Sequence, residues 1–172
     1  FGLARGDDPG KALITNWMYG RSPSVRGVQA NGLARRMGDI YHSSPVIVGK
    51  PTGTADEAYT LFANRADVAA RPVTMYIGSN DGILHAFSIE QYTVPATSTV
   101  YVPGHEMWGF IPPLLHDNLG QNLLSHQFTM DGTPVVKDVY FNRDPQVIAT
   151  GNEYHTVLLT GMRSGGNDYI AL

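Results

Sequence analysis

The chain has 172 residues, with 12 lysines and arginines against 15 acidic residues, no cysteine, 42% hydrophobic residues and 16% charged residues. This length and apolar content fit one domain with a substantial core and exclude a disordered chain, and the lack of cysteine excludes a disulfide scaffold. The 19 glycines and 11 prolines argue against a helix bundle, and together with the Thr, Val and Tyr content they predict an all-β fold.

Charge is unevenly distributed along the chain. Residues 1–50 hold seven Lys or Arg and three acids, whereas residues 51–172 hold five and twelve. The basic residues are not interleaved with aromatic residues, so the pattern predicts no nucleic-acid partner. No apolar run approaches the roughly 20 residues that span a bilayer, and no signal-peptide pattern is present. We expect no membrane-spanning segment, and the start at Phe1 predicts a processed or excised chain.

Residues 1–40 are predicted to form an irregular lead-in, with one short helix at 11–19 and a connecting loop at 21–32. Beyond the lead-in, short β-branched and aromatic runs alternate with Gly, Pro, Asn or Asp. Seven strands are predicted, at residues 45–48, 74–78, 83–89, 107–111, 135–140, 155–160 and 169–172.

Asn80-Asp81-Gly82 separates the second predicted strand from the third. An Asp-Gly pair can adopt the positive φ angles of a tight turn, so strands 74–78 and 83–89 are predicted to form an antiparallel hairpin. Alternation along the second of these strands places His85 on the face opposite Leu84 and Ala86, where it could reach a neighbouring blade.

Two long stretches, 52–71 and 91–104, interrupt the strand pattern and are interpreted as surface loops. A third stretch begins with two prolines and predicts a short helix, since proline favours the first helical position. Its leucines are expected on one face, and they are Leu114, Leu115, Leu119 and Leu123.

An internal repeat is the most informative feature. Pro45-Val46-Ile47 is echoed 89 residues later by Pro134-Val135-Val136, and Tyr76-Ile77-Gly78 is echoed 83 residues later by Leu159-Thr160-Gly161. Such a repeated unit of short antiparallel strands is typical of a β-propeller blade, which has to stack on its neighbours. We predict an incomplete β-propeller of about one and three-quarter four-stranded blades. Blade one covers about 41–115 and an unfinished blade two about 126–172.

No catalytic, cofactor-binding or metal-binding residue is predicted. His105-Glu106 lacks the second histidine that a zinc-protease helix carries four residues after the first, and the six histidines form no close pair. Ser164 lies one place too late for a Gly-x-Ser-x-Gly nucleophile motif. Asp81 and Asp131 each precede a glycine and are interpreted as turn residues rather than calcium ligands.

Arg5-Gly6-Asp7 has the form of an integrin-recognition tripeptide. It would present a guanidinium and a carboxylate at opposite ends of an exposed loop. The alternative is an ordinary turn that leads into the predicted helix at 11–19. Arg5, Gly6 and Asp7 are therefore a candidate adhesive motif.

Ordered motifs along most of the chain resemble the C-terminal propeller of the PilY family. The hairpin at 76–87 with 104–108 also resembles the blade signature of quinoprotein-like propellers, although the usual acid after the third strand is replaced by Ser88-Ile89-Glu90. The motifs that carry the PilY resemblance are Leu3-Ala4-Arg5-Gly6-Asp7, Arg36-Met37-Gly38-Asp39-Ile40-Tyr41-His42-Ser43-Ser44-Pro45-Val46, Asn80-Asp81-Gly82-Ile83-Leu84-His85-Ala86-Phe87, Trp108-Gly109-Phe110-Ile111-Pro112, Asp131-Gly132-Thr133-Pro134, and Thr156-Val157-Leu158-Leu159-Thr160-Gly161 followed by Gly165-Gly166.

The resemblance implies a non-enzymatic component of bacterial type IV pili that supports pilus assembly or extension, twitching motility and surface adhesion. It implies a secreted protein of the outer membrane, pilus tip or cell surface, whose partners are pilin or minor pilins and a host or abiotic surface. Calcium is expected only in another part of such a propeller, because no Asp-x-Asp-x-Asp run occurs here. Two alternatives stay open, a quinone-cofactor dehydrogenase with the same propeller type and a scaffold propeller for outer-membrane assembly.

Overall fold

The computed structural model describes residues 37–53, 56–116, 118–141 and 150–172. Two antiparallel β-sheets form the framework of this part of the chain, with a small hairpin and short helices between their strands. The helix predicted at 11–19 and the Arg5-Gly6-Asp7 motif lie outside the described residues. The proposed division between a lead-in of 1–40 and a propeller of 41–172 stays a prediction.

The first sheet has four strands in the order β1-β2-β3-β6, and every pair is antiparallel. The predicted hairpin is confirmed, and its turn contains Gly82 at a φ of +87°. This left-handed conformation is easily reached by glycine and explains the Asp-Gly pair. The strands are β1 (Val46–Val48), β2 (Thr74–Gly78), β3 (Leu84–Ser88) and β6 (Glu106–Phe110).

The second sheet has three strands in the order β7-β8-β9, again antiparallel. Among the described residues, β9 pairs only with β8, as expected for a blade without its fourth strand. The strands are β7 (Val135–Tyr140), β8 (Tyr154–Gly161) and β9 (Tyr169–Ala171).

The strand registers reproduce the internal repeat. In the first sheet Tyr76 pairs with Val46 on one side and with Ala86 on the other. In the second sheet Leu159 pairs in the same way with Val135 and Ala171. These are the residues that the sequence repeat aligns, so the two sheets are two copies of one unit.

The core lies between the two sheets. The face of the first sheet that carries Tyr76 and Leu84 packs on the face of the second sheet that carries Leu158 and Ile170. Beside this core, a groove of about 430 Å³ runs between the sheets and is lined in part by Trp108, whose ring lies 5.5 Å from that of Tyr76. Trp108 is thus a packing residue at the rim of the sheet interface.

The interpretation of 52–71 as a loop was wrong, because this insertion contains α1 (Glu57–Asn64) and α2 (Ala66–Ala69). Asp56 caps α1 by accepting a hydrogen bond from the backbone N–H of Tyr59 at 2.7 Å, and Phe62 is buried. The helix also reaches the second sheet, since the hydroxyl of Tyr154 donates to Asp56 at 2.9 Å. The N-cap and the burial of Phe62 together stabilise a helix of eight residues, which is too short to be stable through its helix propensity alone.

The stretch 91–104, also expected to be a surface loop, contains a small hairpin of β4 (Tyr92–Thr93) and β5 (Val100–Tyr101). The proline-led helix expected after residue 111 is also corrected. It consists of two 3₁₀ segments, Pro113–Leu115 and Leu119–Leu123. Leu115 and Leu119 are buried but Leu114 is exposed, because the threefold repeat of a 3₁₀ helix does not keep all the leucines on one face.

Candidate functional site

Residues 38–44, which we call the strap, precede β1 and are hydrogen-bonded to the β2–β3 turn and to the segment before β7. At the first sheet the backbone N–H of Gly38 donates to Asp81 Oδ2 at 2.8 Å. The Asp39 carboxylate accepts from the Asn80 amide at 2.8 Å, and the backbone carbonyl of Asp39 accepts from the backbone N–H of Asn80 at 2.9 Å. The β2–β3 turn therefore holds the first half of the strap.

The second half of the strap is held by the segment that leads into β7. The backbone N–H of His42 donates to Asp131 Oδ1 at 3.0 Å, and His42 Nδ1 lies 2.6 Å from Asp131 Oδ2. The backbone N–H of Ser44 donates to the Thr133 hydroxyl at 3.0 Å. The strap thus joins the two copies of the repeat through groups 89 residues apart in sequence.

Each of the two aspartates that hold the strap precedes a glycine, as the sequence shows. Asp81 lies in the β2–β3 turn, where it also accepts from the backbone N–H of Ile83 at 3.1 Å. Gly132, which follows Asp131, lies so close to the carbonyl of Gly161 that a side chain at this position would collide with it. The Asp-Gly pairs combine a turn or close approach with a carboxylate that accepts backbone hydrogen bonds.

The strap carries part of an exposed aromatic cluster, which we call the aromatic patch and define as Tyr41, His42, His126 and Phe128. The Tyr41 ring lies 5.4 Å from that of Phe128, and the His126 ring lies 5.3 Å from it on an edge-to-face approach. Tyr41 is 66% exposed and Phe128 38% exposed. His126 Nε2 also lies 3.0 Å from both oxygens of Asp39, which fixes the patch to the strap.

Behind the strap lies a polar cluster of Ser79, Asp81, His85 and Glu106, in which the first three residues are buried and the Glu106 side chain is 44% exposed. His85 Nε2 lies 3.1 Å from Ser79 Oγ and 3.3 Å from Asp81 Oδ1, and His85 Nδ1 lies 2.6 Å from Glu106 Oε1. Serine, histidine and glutamate are thus connected as in a hydrolase triad. Ser79 is only 1% exposed and its hydroxyl donates to Asp81, so the serine is shielded from solvent and its hydrogen bonds stabilise the fold.

The charges of this region shift several pKa values. Burial would raise the pKa of Asp81, but hydrogen bonds and the charge of His85 outweigh burial and lower it. Burial would lower the pKa of His85, but the two carboxylates beside it raise the pKa above its ordinary value. Hydrogen bonds from Asn80 and His126 lower the pKa of Asp39 in the same way, against the effect of burial. These directions describe ion pairs that stabilise the folded state.

The remaining sequence predictions concern His85, metal ligands and membrane-spanning helices. His85 lies on the face opposite Leu84 and Ala86, as predicted, and this face points away from the second sheet. Within the described ranges, no group of three His, Cys, Asp or Glu side chains could hold a metal ion. No helix in the described part of the chain has the length and apolar character needed to cross a membrane.

Comparison with known proteins identifies the family. The family described as the PilY1 beta-propeller domain matches residues 37–172, which include both sheets and the strap. The chain belongs to the PilY1 β-propeller family. Its two sheets are therefore blades of an incomplete propeller, and the all-β prediction is confirmed. No solved structure matches the chain.

Over the aligned residues, the curated PilY1 proteins are identical to this propeller chain at about a third of the positions. "Type IV pilus biogenesis factor PilY1" of Pseudomonas aeruginosa strain PAO1 is 33% identical over 154 residues, which cover 79% of the chain and 11% of the relative. The protein of the same name from strain UCBPP-PA14 is 33% identical over 172 residues, with 86% and 12% covered. A PilY1 homolog of Xylella fastidiosa is 32% identical over 148 residues, with 79% and 10% covered. The chain spans about a tenth of the length of these relatives.

Sequence reasoning missed the strap of this PilY1 propeller chain, although one signal was available. Asn80-Asp81-Gly82 and Met130-Asp131-Gly132 both place an aspartate before a glycine. We interpreted each aspartate as a turn residue on its own. Their shared role as acceptors for Gly38 and His42 appears only when the two copies of the repeat are packed together.

Proposed function

We propose that this chain acts as a non-enzymatic part of a type IV pilus biogenesis factor of the cell envelope or surface. The observation that carries the proposal is the match of both sheets and the strap to PilY1 proteins, which are named type IV pilus biogenesis factors. The buried hydroxyl of Ser79 supports a non-enzymatic role, since the one hydrolase-like arrangement in the described residues is inaccessible.

The proposed mechanism is binding of pilus components by exposed surfaces of the propeller. The aromatic patch is the strongest candidate, because exposed aromatic side chains on a rigid support contribute large contact areas at low entropic cost. Hydrogen bonds at both ends hold the strap in place, so Tyr41 is presented without further ordering. The proposed partners are pilin or minor pilins, with roles in pilus assembly or extension, twitching motility and adhesion to a host or abiotic surface.

The proposal is tested by deleting the gene in its source bacterium and then reintroducing it. We expect a deletion to remove surface pili, as counted by electron microscopy, and to abolish twitching, and we expect the unaltered gene to restore both. Dye-linked dehydrogenase activity should be unchanged. Normal pili together with a lost dehydrogenase activity would contradict the proposal and favour the quinone-cofactor alternative.

The aromatic patch is tested in the same strain. We expect Tyr41→Ala combined with Phe128→Ala to reduce piliation while the protein level stays constant. Phe141→Ala is the matched control, because Phe141 is also an exposed aromatic residue, at 57%, and its ring contacts that of His155 edge-to-face rather than the strap. Equal piliation in the two variants would show that the patch is not the binding surface.

A further inference from the structure

The two long insertions of the first sheet leave it at the same end. β1 ends at Val48 and β2 begins at Thr74, and these two residues are paired. β3 ends at Ser88, which pairs with Thr74 from the other side. The insertions at 52–71 and 91–104 follow these strand ends, whereas the β2–β3 turn and the strap lie at the opposite end of the sheet. Blades of a propeller stack side by side, so this end belongs to an open face of the propeller and not to a surface that another blade covers.

The groove between the two sheets lies at this end, because its lining includes the last residue of β1 and the first residue of β2. Its volume of about 430 Å³ falls within the range of roughly 300–1,000 Å³ that is usual for binding sites. The groove is therefore large enough to admit a side chain with part of its backbone. The lining residues that determine its chemistry are Arg71, Tyr76, Tyr92, Met107, Trp108 and Leu158.

The groove has the composition of a protein-binding surface. Aromatic residues, methionine and arginine are enriched at the centres of protein interfaces, whereas lysine, aspartate and glutamate are depleted there. Three of the lining residues are aromatic and one is methionine. Among the lining residues that the structure describes, Arg71 alone carries a charge. Trp108 packs near Tyr76 but is still 41% exposed, so its ring can contact an incoming side chain.

The guanidinium of Arg71 is held between the two sheets and keeps one amino group free. Nε donates to the carbonyl of Gly49 at 2.6 Å, and Nη1 donates to the hydroxyl of Thr156 at 2.7 Å. Asp138 Oδ1 lies 3.8 Å from Nη1, and the two oxygens of Asp138 accept hydrogen bonds from Thr156 and Tyr59 instead. Nη2 makes no hydrogen bond to any residue in the described part of the chain, so the positive charge of Arg71 can pair with an incoming carboxylate.

We propose that this groove binds an extended peptide segment of a partner protein, with a large apolar side chain inserted between the sheets and a carboxylate paired with Arg71. The inserted side chain would contact Tyr76, Met107 and Trp108, and the carboxylate would accept from Nη2 of Arg71. Because two hydrogen bonds already fix the guanidinium, the charge pair forms with little further loss of side-chain entropy. The groove lies at the opposite end of the first sheet from the strap and the aromatic patch, and this inference does not rest on the proposed pilus role.

The test first captures the occupant in living cells. The photoreactive residue p-benzoylphenylalanine replaces Tyr92 in the protein as the source bacterium makes it, the cells are irradiated, and cross-linked peptides are identified by mass spectrometry. We expect capture of one segment of another protein, in which a carboxylate lies near an aromatic or branched aliphatic residue. Phe141 is the matched control position, because it is an exposed aromatic residue at the corresponding end of the second sheet and does not line the groove. It should not capture that segment.

The charge pair is then tested with a synthetic peptide of the captured sequence. Its affinity for the unaltered protein is measured by fluorescence polarisation, beside that of a peptide in which amides replace the carboxylates. We expect the amide peptide to bind roughly tenfold or more weakly. Arg71→Gln should weaken binding of the acidic peptide to a similar extent, and Arg71→Lys should restore part of it.

Several results would overturn the proposal. A cross-link from the Tyr92 position to the same polypeptide, or to a second copy of it, would mean that the protein fills its own groove. Capture of a lipid or another small molecule, capture of the same segment from the Phe141 position, or no capture at all would exclude a peptide site here. Equal affinities of the acidic and amide peptides for the unaltered protein would exclude the pairing with Arg71, whether or not the Arg71→Gln variant folds.

Discussion

The turn ends of the two hairpins share one register but have opposite chemistry. In the first sheet, the buried positions after β2 and within β3 are Ser79 and His85, which join a hydrogen-bonded cluster with Asp81. In the second sheet, the equivalent positions are Met162 and Ile170, and both lie in the apolar core. The same backbone is therefore held by polar contacts in one copy and by packing in the other.

The difference follows from what each hairpin end has to contact. The first hairpin must supply acceptors for the strap, and Asp81 does so through the backbone N–H of Gly38. A buried carboxylate needs a compensating charge, which His85 provides. The second hairpin end meets other apolar residues, so aliphatic side chains serve there. The first hairpin therefore needs the polar cluster because it binds the strap, and not because of the alternation of residues along its strands.

The largest effect is expected from Asp81→Ala. The substitution leaves His85, Ser79 and the backbone N–H of Gly38 without their shared acceptor. We expect the free energy of unfolding to fall by about 3–5 kcal/mol, as for other broken buried ion pairs. Urea unfolding of the purified chain measures it. A loss of stability as small as that caused by substitution of an exposed acidic residue would show that the cluster does not stabilise the fold.

Met162→Ala tests the apolar counterpart. Met162 is 1% exposed, and its removal leaves a cavity in the core. We expect a loss of about 3 kcal/mol in the same urea experiment. A Met162→Leu control of similar volume should cost less than about 1.5 kcal/mol. An equal loss of stability in both variants would indicate that the shape of the Met162 side chain, rather than the cavity left by its removal, determines the effect.

A double-mutant cycle sharpens the comparison further. His85→Ile gives the first hairpin the residue of the second, but it leaves Asp81 without its charged partner. The cost of His85→Ile should be smaller when Asp81→Ala is also present, with a coupling energy of about 2 kcal/mol. Additive losses would contradict the ion pair as the reason for the polar chemistry.

The smallest effect is expected from pH. Because the pKa of His85 is raised, its contribution is fully present below the ordinary histidine value of about 6.5 and is lost as pH rises through the folded value. Because the pKa of Asp81 is lowered, its contribution is present above the ordinary value of 3.8 and is lost as pH falls through the folded value. Urea unfolding between these limits should show the highest stability, and His85→Gln should flatten the decline on the alkaline side.

The strands of the two sheets could be predicted because their signals are local. The Asp81-Gly82 turn defines the first hairpin, and Pro45 and Pro134 mark the starts of equivalent strands. The helix α1 was missed because it spans only eight residues, and much of its stability comes from the burial of Phe62 rather than from propensity.

The candidate site was harder to predict than the fold. His42 and Asp131 are single polar residues 89 positions apart, and no periodic pattern connects them. The aromatic patch likewise combines Tyr41 with Phe128 from another segment. Such contacts depend on how the two copies pack, which the sequence of either copy alone does not specify.

The strap also constrains the order in which parts of the chain can fold. His42 cannot meet Asp131 until 89 further residues have been made. At typical synthesis rates of about 5–20 residues per second, this interval lasts roughly 4 to 18 s. During that time the β2–β3 turn can form from neighbouring residues, but the strap has only one of its two anchors. If the ribosome pauses, or a chaperone binds, after residue 42 and before residue 131 has been made, the strap of the first sheet is held only by the β2–β3 turn.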